Sequence, residues 1–268
     1  MRDTRTHAAM AETIRALGTP RFVRRFLALL RELAAFDNLI VIAYCAEQRP
    51  EALYRECNDP VVYLPMDSEY LAGAYLLDPF YLQHREGRVG GVERLANIAP
   101  DRFRRSEYYR NYYRQTTLID EIAIFARISP VITLTACLGK DRSSGTRFLP
   151  REFNALKRYE ATLSALMETH WRGYQPAQGT PAQAMPLSQR LQHKLAGEHG
   201  VQLSPRQAEV ALYILRGHSS QSIGKALGIS GQTVKVFRRQ LYAKCAVSSQ
   251  AQLFALLLPL LTGLTESH

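Results

Sequence analysis

The chain has 268 residues, a hydrophobic fraction of 46% and a charged fraction of 22%, which is typical of a soluble globular protein with room for two domains. The longest apolar stretch, residues 253–261, is too short to cross a bilayer and contains a proline. The formal net charge of +10 favours an anionic partner such as nucleic acid or a membrane surface, although a basic enzyme could carry the same charge.

The first 172 residues predict a mixed domain of helices and strands. Helical apolar spacing covers residues 10–17 and 21–36, and the β-branched run Asn38–Cys45 predicts a buried strand. We expect a further short strand at 61–64, an interrupted helix over 69–85 and a tyrosine-rich helix over 102–114. Two strands, 121–128 and 131–138, then flank a Ser-Pro turn, and a long helix spans 150–171. Helices around an antiparallel sheet give the α+β class of a sensory domain.

A linker separates this region from a smaller C-terminal domain. Residues 173–186 carry no charge but contain three prolines and two glycines. After them, Leu187, Leu191 and Leu195 have the spacing of one apolar helix stripe, which ends near Gly197 or Gly200. We therefore predict a sensory or regulatory domain at 1–172, a linker with a short helix at 173–200 and an all-α domain at 201–262.

The last quarter of the chain predicts a helix-turn-helix. Ser204 is placed to cap a helix that Gly217 ends, and a second, short helix ends at the tight turn of Gly228. Ser230 then caps a third helix over residues 231–247, whose inward stripe is Val234, Phe237, Leu241 and Cys245. A short helix, a glycine turn and a helix with a basic outer face is the arrangement that docks in the major groove of DNA.

Charge supports this interpretation, because residues 201–261 contain seven basic residues and one acidic residue, a balance of 7 − 1 = +6. Backbone N–H groups at the start of the second helix are placed to bind a phosphate, and the outer face of the third helix is placed to meet bases and phosphates. We expect DNA contacts from Ser220, Gln221, Ser230, Thr233, Lys235, Val236, Arg238, Arg239 and Lys244.

The segment resembles the LuxR-type helix-turn-helix family of bacterial transcription regulators. The matching residues are Leu203-Ser204-Pro205-Arg206, Glu209-Val210, Gly217, Ser219, Ile223, Leu227-Gly228-Ile229-Ser230, Thr233-Val234-Lys235, Lys244 and Val247. The resemblance implies a four-helix domain that reads bases through Lys235, Val236 and Arg239. It also implies a fourth helix, near residues 249–258, that commonly forms a dimer contact. Three residues depart from the family pattern. Its members often have His where this chain has Phe237, Ala where it has Gly224, and Leu where it has Cys245.

The fourth helix has an apolar stripe with two interpretations. Its members are Leu253, Leu256, Leu257 and Leu260. The stripe could form the dimer contact that the resemblance implies, or it could pack onto the first helix of the same domain.

The N-terminal domain resembles the sensory domains of such regulators. Residues 108–125 and 134–168, with Phe148 and Glu152, are similar to GAF- or PAS-like domains. Asp78-Pro79 resembles the autoinducer-binding domain of quorum-sensing regulators, which implies a ligand site at Tyr75, Asp78 and Tyr81. That family's pocket tryptophan is absent, since the chain's one Trp is Trp171. The alternative is that Asp78 caps a helix that begins at Pro79.

The tyrosine cluster at residues 108, 109, 112 and 113 also allows more than one role. It could be a ligand lid or a dimer contact, but it is more typical of a half-buried helix face with solvated hydroxyls.

Catalysis finds no support in the sequence. The histidines are scattered, the four cysteines have no zinc-like spacing, and Asp120 and Glu121 would point to opposite faces of a strand. We therefore predict no catalytic residues, no metal and no cofactor.

The sequence thus predicts a cytoplasmic one-component regulator. Its expected partners are an operator in double-stranded DNA, a second copy in a homodimer, a small-molecule effector and RNA polymerase, with no membrane. Three alternatives stay open: a purely dimerising N-terminal domain without ligand, an enzymatic N-terminal domain, and a helical protein-interaction module. A sigma-factor-like region would need a DNA-melting segment upstream, and residues 108–114, the one candidate, are too short.

Overall fold

A computed structural model describes residues 2–46, 48–88, 90–177 and 186–262. The chain forms two compact units, and neither is one continuous segment. Unit 1 comprises residues 1–64, 83–98 and 117–181, and unit 2 comprises 65–82, 99–116 and 182–268. Two internal segments of the predicted N-terminal domain therefore group with the C-terminal helices. Much of the predicted linker, residues 178–185, lies outside the described residues.

Unit 1 is built on a five-stranded antiparallel sheet, which is the fold class that the sequence predicts. Its strands are β1 (Asn38–Cys45), β2 (Glu51–Cys57), β3 (Gly90–Arg94), β4 (Leu118–Ser129) and β5 (Ile132–Asp141). Their order across the sheet is β2-β1-β5-β4-β3. Every residue of β1 and β5 is buried, so these central strands are shielded on both faces.

Helices of unit 1 pack on one face of this sheet. They are α1 (Arg2–Arg15), α2 (Phe22–Leu33), α6 (Pro150–Arg158) and α7 (Glu160–His170); α3 (Pro79–Arg85) and α4 (Leu95–Ile98) are short helices between β2 and β4. Leu134, Ala136 and Leu138 of β5 belong to the same hydrophobic core as Phe22 and Phe26 of α2. Side chains alternate along a strand, so Thr133, Thr135 and Cys137 lie on the opposite face.

An ion pair between the half-buried Arg94 and the buried Asp120 joins β3 to β4. The Arg94 guanidinium contacts both carboxylate oxygens of Asp120, and Phe148 donates its N–H to the same carboxylate over 3.0 Å. Because its carboxylate binds groups of β3 and of the segment before α6, Asp120 has a structural role in the sheet.

Several sequence predictions for unit 1 are wrong in detail. Residues 61–64 form no strand, since Asp59 caps a 3-10 turn at Pro60–Tyr63. The expected long helix at 150–171 is divided at Tyr159 into α6 and α7. The strands β2 and β3 were not predicted, because β2 is half-exposed with mixed polarity and β3 opens with two glycines.

Unit 2 consists of helices and short turns. Its longer helices are α8 (Leu187–His199), α9 (Pro205–Arg216), α10 (Ser220–Leu227), α11 (Gly231–Lys244) and α12 (Gln250–Thr262). The expected helix over 102–114 is instead a 3-10 turn at Phe103–Arg105, the short α5 (Glu107–Asn111) and a second 3-10 turn at Tyr113–Thr116. The region at 69–85 is broken in the same way, into a π turn at Met66–Tyr70, a 3-10 turn at Ala74–Leu77 and α3, which straddles the boundary between the units.

Candidate nucleic-acid interface

Helix α9 begins and ends where the sequence predicts. The Ser204 hydroxyl accepts the N–H of Gln207 over 3.2 Å, and the Gln207 side chain accepts the N–H of Ser204 over 3.0 Å. Gly217 ends the helix with φ of 93°, a left-handed conformation that favours glycine. The interior side of α9 is therefore held in one orientation, with Ala208 and Leu215 fully buried.

The turn between α10 and α11 is short and packs closely against α10, as a helix-turn-helix requires. Ser219 caps α10 by accepting the N–H of Ser222 over 3.1 Å, and Gly228 ends it with φ of 67°. The N–H of Ile229 then donates to the carbonyl of Gly224 over 2.9 Å. A Cβ at Gly224 would lie 2.7 Å from the Ile229 carbonyl oxygen, so this glycine permits the close approach of the turn to α10.

Helix α11 presents one face to the interior and one to solvent. Ser230 caps it by accepting the N–H of Thr233 over 3.0 Å, and their hydroxyls lie 2.8 Å apart. Val234 and Leu241 are fully buried. Lys235, Val236 and Arg239 are exposed, and Val236 keeps 37% of its surface accessible although it is apolar. An accessible valine between two cations suits contact with base edges, where a thymine methyl is an apolar partner.

The remaining predicted contact residues lie in different settings. Ser220 is half-buried and Gln221 exposed in the first turn of α10. Arg238 lies over the Tyr242 ring, 6.0 Å from its centroid. The Lys244 ammonium donates to the Gln202 carbonyl over 2.7 Å and to Gln207 Oε1 over 3.0 Å. These bonds give Lys244 a structural role that the sequence did not reveal.

Other features of unit 2 refine the sequence predictions. Leu253, Leu257 and Leu260 of α12 are buried within the single chain, so part of the apolar stripe packs inside the unit. Phe237 is half-buried, and burial raises the pKa of the Cys245 thiol at the end of the inward stripe.

His218, between α9 and α10, is held by several groups of unit 2. Its ring contacts the edge of Tyr213, and its Nδ1 lies 2.9 Å from the Ser222 hydroxyl. Burial and the nearby Arg216 lower the pKa of His218 to about 4, against the opposing effect of Asp101. The ring is therefore neutral at physiological pH.

The predicted ligand residue Asp78 is buried and caps a helix. Its Oδ1 accepts the N–H of Phe80 over 2.8 Å, and its Oδ2 accepts the Tyr70 hydroxyl. Burial raises the pKa of Asp78 to about 6, although both hydrogen bonds act in the opposite direction. Tyr75 and Tyr81 are also buried and meet edge to face at 4.9 Å, so the three predicted residues belong to one buried cluster.

The tyrosine cluster is more deeply buried than expected. Tyr108, Tyr112 and Tyr113 keep at most 8% of their surface accessible, and Tyr112 lies 5.4 Å from the Tyr70 ring. Phe103 contacts the cluster as well, with its ring 5.5 Å from that of Tyr113. Three of the four tyrosines therefore belong to an aromatic core of unit 2, while Tyr109 is half-buried as the sequence predicts.

Unit 1 contains a polar feature that was not predicted from the sequence. The Thr135 hydroxyl on β5 is fully buried, and within the described part of the chain it meets no hydrogen-bond partner. Its neighbour Thr133 contacts His84 Nδ1 over 2.9 Å, and burial lowers the pKa of His84 to about 4. Threonines on a buried strand could have signalled this face, but their periodicity does not distinguish a ligand surface from ordinary core.

The residues that the structure describes include no helix long and apolar enough to cross a membrane. Across the same residues, no three His, Cys, Asp or Glu side chains are grouped so as to hold a metal ion.

Comparisons with known proteins agree with this architecture. Residues 201–257 match the family model described as bacterial regulatory proteins, luxR family. A putative HTH-type transcriptional regulator of Aeromonas salmonicida is 31% identical over 186 residues, which cover 68% of this chain and 93% of that protein. The crystal structure of the VqsR LBD domain from Pseudomonas aeruginosa matches with a TM-score of 0.51 and 27% identity, over 61% of this chain and 94% of that one.

A match of lower structural similarity spans both units. The crystal structure of Escherichia coli SdiA has a TM-score of 0.41 and 15% identity, over 94% of this chain and 96% of that chain. Two sequence comparisons establish the family. One is the Aeromonas relative, and the other is the family model that matches residues 201–257. The chain belongs to the luxR family of bacterial regulatory proteins and is a DNA-binding transcription regulator.

Proposed function

We propose that this regulator is a one-component sensor, in which a small molecule bound by the N-terminal region changes the affinity of the helix-turn-helix for its operator. The observation that carries the sensing half is the buried hydroxyl of Thr135, which has no partner among the described residues. A buried hydroxyl without a partner costs folding free energy, on the order of 1–3 kcal/mol, so such groups are rare unless something else satisfies them. A polar group of an effector is the partner that we propose.

The effector would combine polar and apolar parts. Around Thr135, the same face of the sheet carries Phe125, Ile42 and Tyr44, all buried, by strand alternation and pairing register. Such a surface binds an apolar body, while a few polar groups fix its orientation. Within unit 2, the buried carboxyl of Asp78 is a separate candidate for ligand contact, with Tyr75 and Tyr81, on the resemblance to autoinducer-binding domains.

The DNA-reading half rests on the solvent-facing side of α11. We assign base contacts to Lys235, Val236 and Arg239, and phosphate contacts to Arg238 and to the start of α10 at Ser220 and Gln221. Ser230 and Thr233, whose hydroxyls face each other at the N-terminus of α11, would contact the DNA backbone beside them. A homodimer would place two such helices on a two-fold operator.

Native mass spectrometry of protein purified from cells tests the sensing half. We expect a retained small molecule in the wild type and less of it in Thr135→Val, which removes the hydroxyl at nearly constant shape. The same variant should be at least as stable as wild type when ligand-free, because the unsatisfied hydroxyl is gone.

Two outcomes would contradict the proposal. Equal retention by both proteins would show that Thr135 does not contact the effector. A dimer mass without any retained molecule, after purification from several growth conditions, would instead favour an N-terminal domain that only dimerises.

A further inference from the structure

Within unit 2, the segment of residues 100–106 lies on the turn between α9 and α10. The N–H of Arg102 donates to the carbonyl of Gly217 over 3.0 Å. A Cβ at Gly217 would lie 2.9 Å from the Cβ of Ser106 and 3.2 Å from the Cα of Phe103. Contact this close shows that the segment is fitted to the turn, and we call it the 100–106 clamp.

The clamp places a carboxylate at the start of α10. Asp101 Oδ1 accepts the N–H of Ser219, the N-cap residue, over 3.0 Å, and the Ser219 hydroxyl interacts with the same carboxylate. Burial acts to raise the pKa of Asp101, but the bonds to Ser219 and the nearby His218 outweigh it, and the pKa is lowered. The group is therefore an anion at physiological pH.

The start of α10 is also where a helix-turn-helix meets the DNA backbone. A helix N-terminus carries a partial positive charge and N–H groups that bind phosphate. In a helix-turn-helix the first helix crosses the backbone while the second lies in the major groove. A carboxylate and a phosphate cannot occupy this place together without repulsion between two anions at short range.

We propose that the 100–106 clamp is an autoinhibitory contact, in which the Asp101 side chain occupies the position of a DNA phosphate at the N-terminus of α10. DNA binding then requires that Asp101 leave Ser219, and any signal that moves the clamp changes DNA affinity. This inference rests on the proposed docking of α10 and α11 on DNA. Because a phosphate contact is independent of sequence, the effect extends to any duplex.

The test compares DNA affinity of full-length variants on a labelled duplex of mixed sequence at one fixed salt concentration. Asp101→Asn keeps the shape and a hydrogen-bond acceptor but removes the charge, and Asp101→Ala removes both. Glu198→Gln is the matched control, since Glu198 is exposed on α8, pairs with Lys194 at 3.5 Å, and its change removes the same charge from the same unit. We expect both Asp101 variants to bind at least roughly five-fold more tightly than the control.

Every other result contradicts the proposal that the clamp is autoinhibitory. Equal affinities for Asp101→Asn and Glu198→Gln would show that only net charge matters, and weaker binding would place Asp101 among groups that support the interface. Loss of the folded state in both Asp101 variants, seen by circular dichroism, would make Asp101 a structural cap.

Failure of the DNA-docking proposal is distinguishable from failure of the clamp. In the first case neither wild type nor Asp101→Asn binds the duplex. In the second, wild type binds and Lys235→Ala alters binding, whereas the Asp101 variants match their control.

Discussion

Lys244, at the last position of α11, donates a hydrogen bond of 3.0 Å to Gln207, in the first turn of α9. The same ammonium donates to the Gln202 carbonyl, so one cation joins the end of α11 to the start of α9 and the residues just before it. Gln207 is itself buried and completes the capping box with Ser204. The relationship positions α11 relative to α9, and it gives the exposed Lys244 two hydrogen-bond partners within unit 2.

We predict that Lys244→Met destabilises the protein, whereas Lys235→Met does not. Losing the two bonds of Lys244 should lower the free energy of unfolding by roughly 1 kcal/mol, because the Gln202 carbonyl and the Gln207 amide lose a charged donor. Lys235 is the matched control, since it is an exposed lysine on the same helix. Urea denaturation followed by circular dichroism measures both. A larger loss of stability for Lys235→Met than for Lys244→Met would contradict the assignment.

The recognition helix gives a prediction about sequence preference. Lys235→Ala and Arg239→Ala should reduce the ratio of affinities for a selected duplex and a mixed-sequence duplex by roughly ten-fold, within the 1–3 kcal/mol that a good base contact contributes. Arg238→Ala should weaken both affinities by the same factor, as a phosphate contact does.

Arg206→Ala is the control for this set, because it removes a cation that pairs with Glu209 on α9 at 2.7 Å. Fluorescence anisotropy at constant salt gives the affinities. If all three α11 variants keep the wild-type ratio and the wild-type affinities, α11 is not the reading helix.

A residue with left-handed backbone precedes α11 and another follows it, and we expect substitutions at these two positions to change stability in opposite directions. At Gly228, with φ of 67°, an alanine Cβ would meet no neighbouring atom of the described residues within 4 Å, so Gly228→Ala adds only backbone strain of about 1–2 kcal/mol. Ala246 follows the end of α11 with φ of 53°, and Ala246→Gly should relieve strain and stabilise by roughly 0.5 kcal/mol after the entropy of glycine is counted.

Thermal unfolding of the two variants tests these signs. Gly200→Ala, at φ of 66° after α8, is a control with equal strain away from the turn. It should lose as much stability as Gly228→Ala but less DNA affinity. Stabilisation by Gly228→Ala would show that the turn does not need a left-handed residue.

The parts of the fold that the sequence predicted are those with local signals. The cap at Ser204, the stop at Gly217 and the spacing of Val234 and Leu241 specify the helices of the DNA-binding unit within a few residues. The strand Asn38–Cys45 was found because buried central strands are continuous apolar runs.

The parts that were missed depend on tertiary contacts. A single helix was expected over 102–114, but Ser106 accepts the N–H of Tyr109 and starts α5 inside that span. The fit of this region against Gly217 joins residues more than a hundred positions apart, which no periodicity reveals. The same is true of the Thr135 hydroxyl, whose lack of a partner among the described residues depends on every element that surrounds it.

The buried Asp78 carboxyl gives a prediction about pH. Its pKa in the folded chain is about 6, above the ordinary 3.8, so the folded state holds a proton that the unfolded state releases between these values. The contribution of Asp78 to stability is therefore greatest below about pH 4, falls as pH rises to about 6, and stays low above that. His84 and His218 act in the opposite sense over a similar range, since their pKa values are lowered to about 4.

Comparison of wild type with Asp78→Asn isolates the carboxyl from the histidines. The variant cannot ionise, so the difference in unfolding free energy between the two proteins should move in its favour as pH rises from 4 to 6.5, across the range that the pKa of Asp78 defines. Asp59→Asn is the control, because Asp59 also caps a short helix, at Val61 over 3.0 Å, but is half-exposed. Urea titrations at several pH values give the free energies. A pH-independent difference for Asp78→Asn would mean that the Asp78 carboxyl titrates in the folded protein as it does in the unfolded chain, and that its burial imposes no cost on its charge.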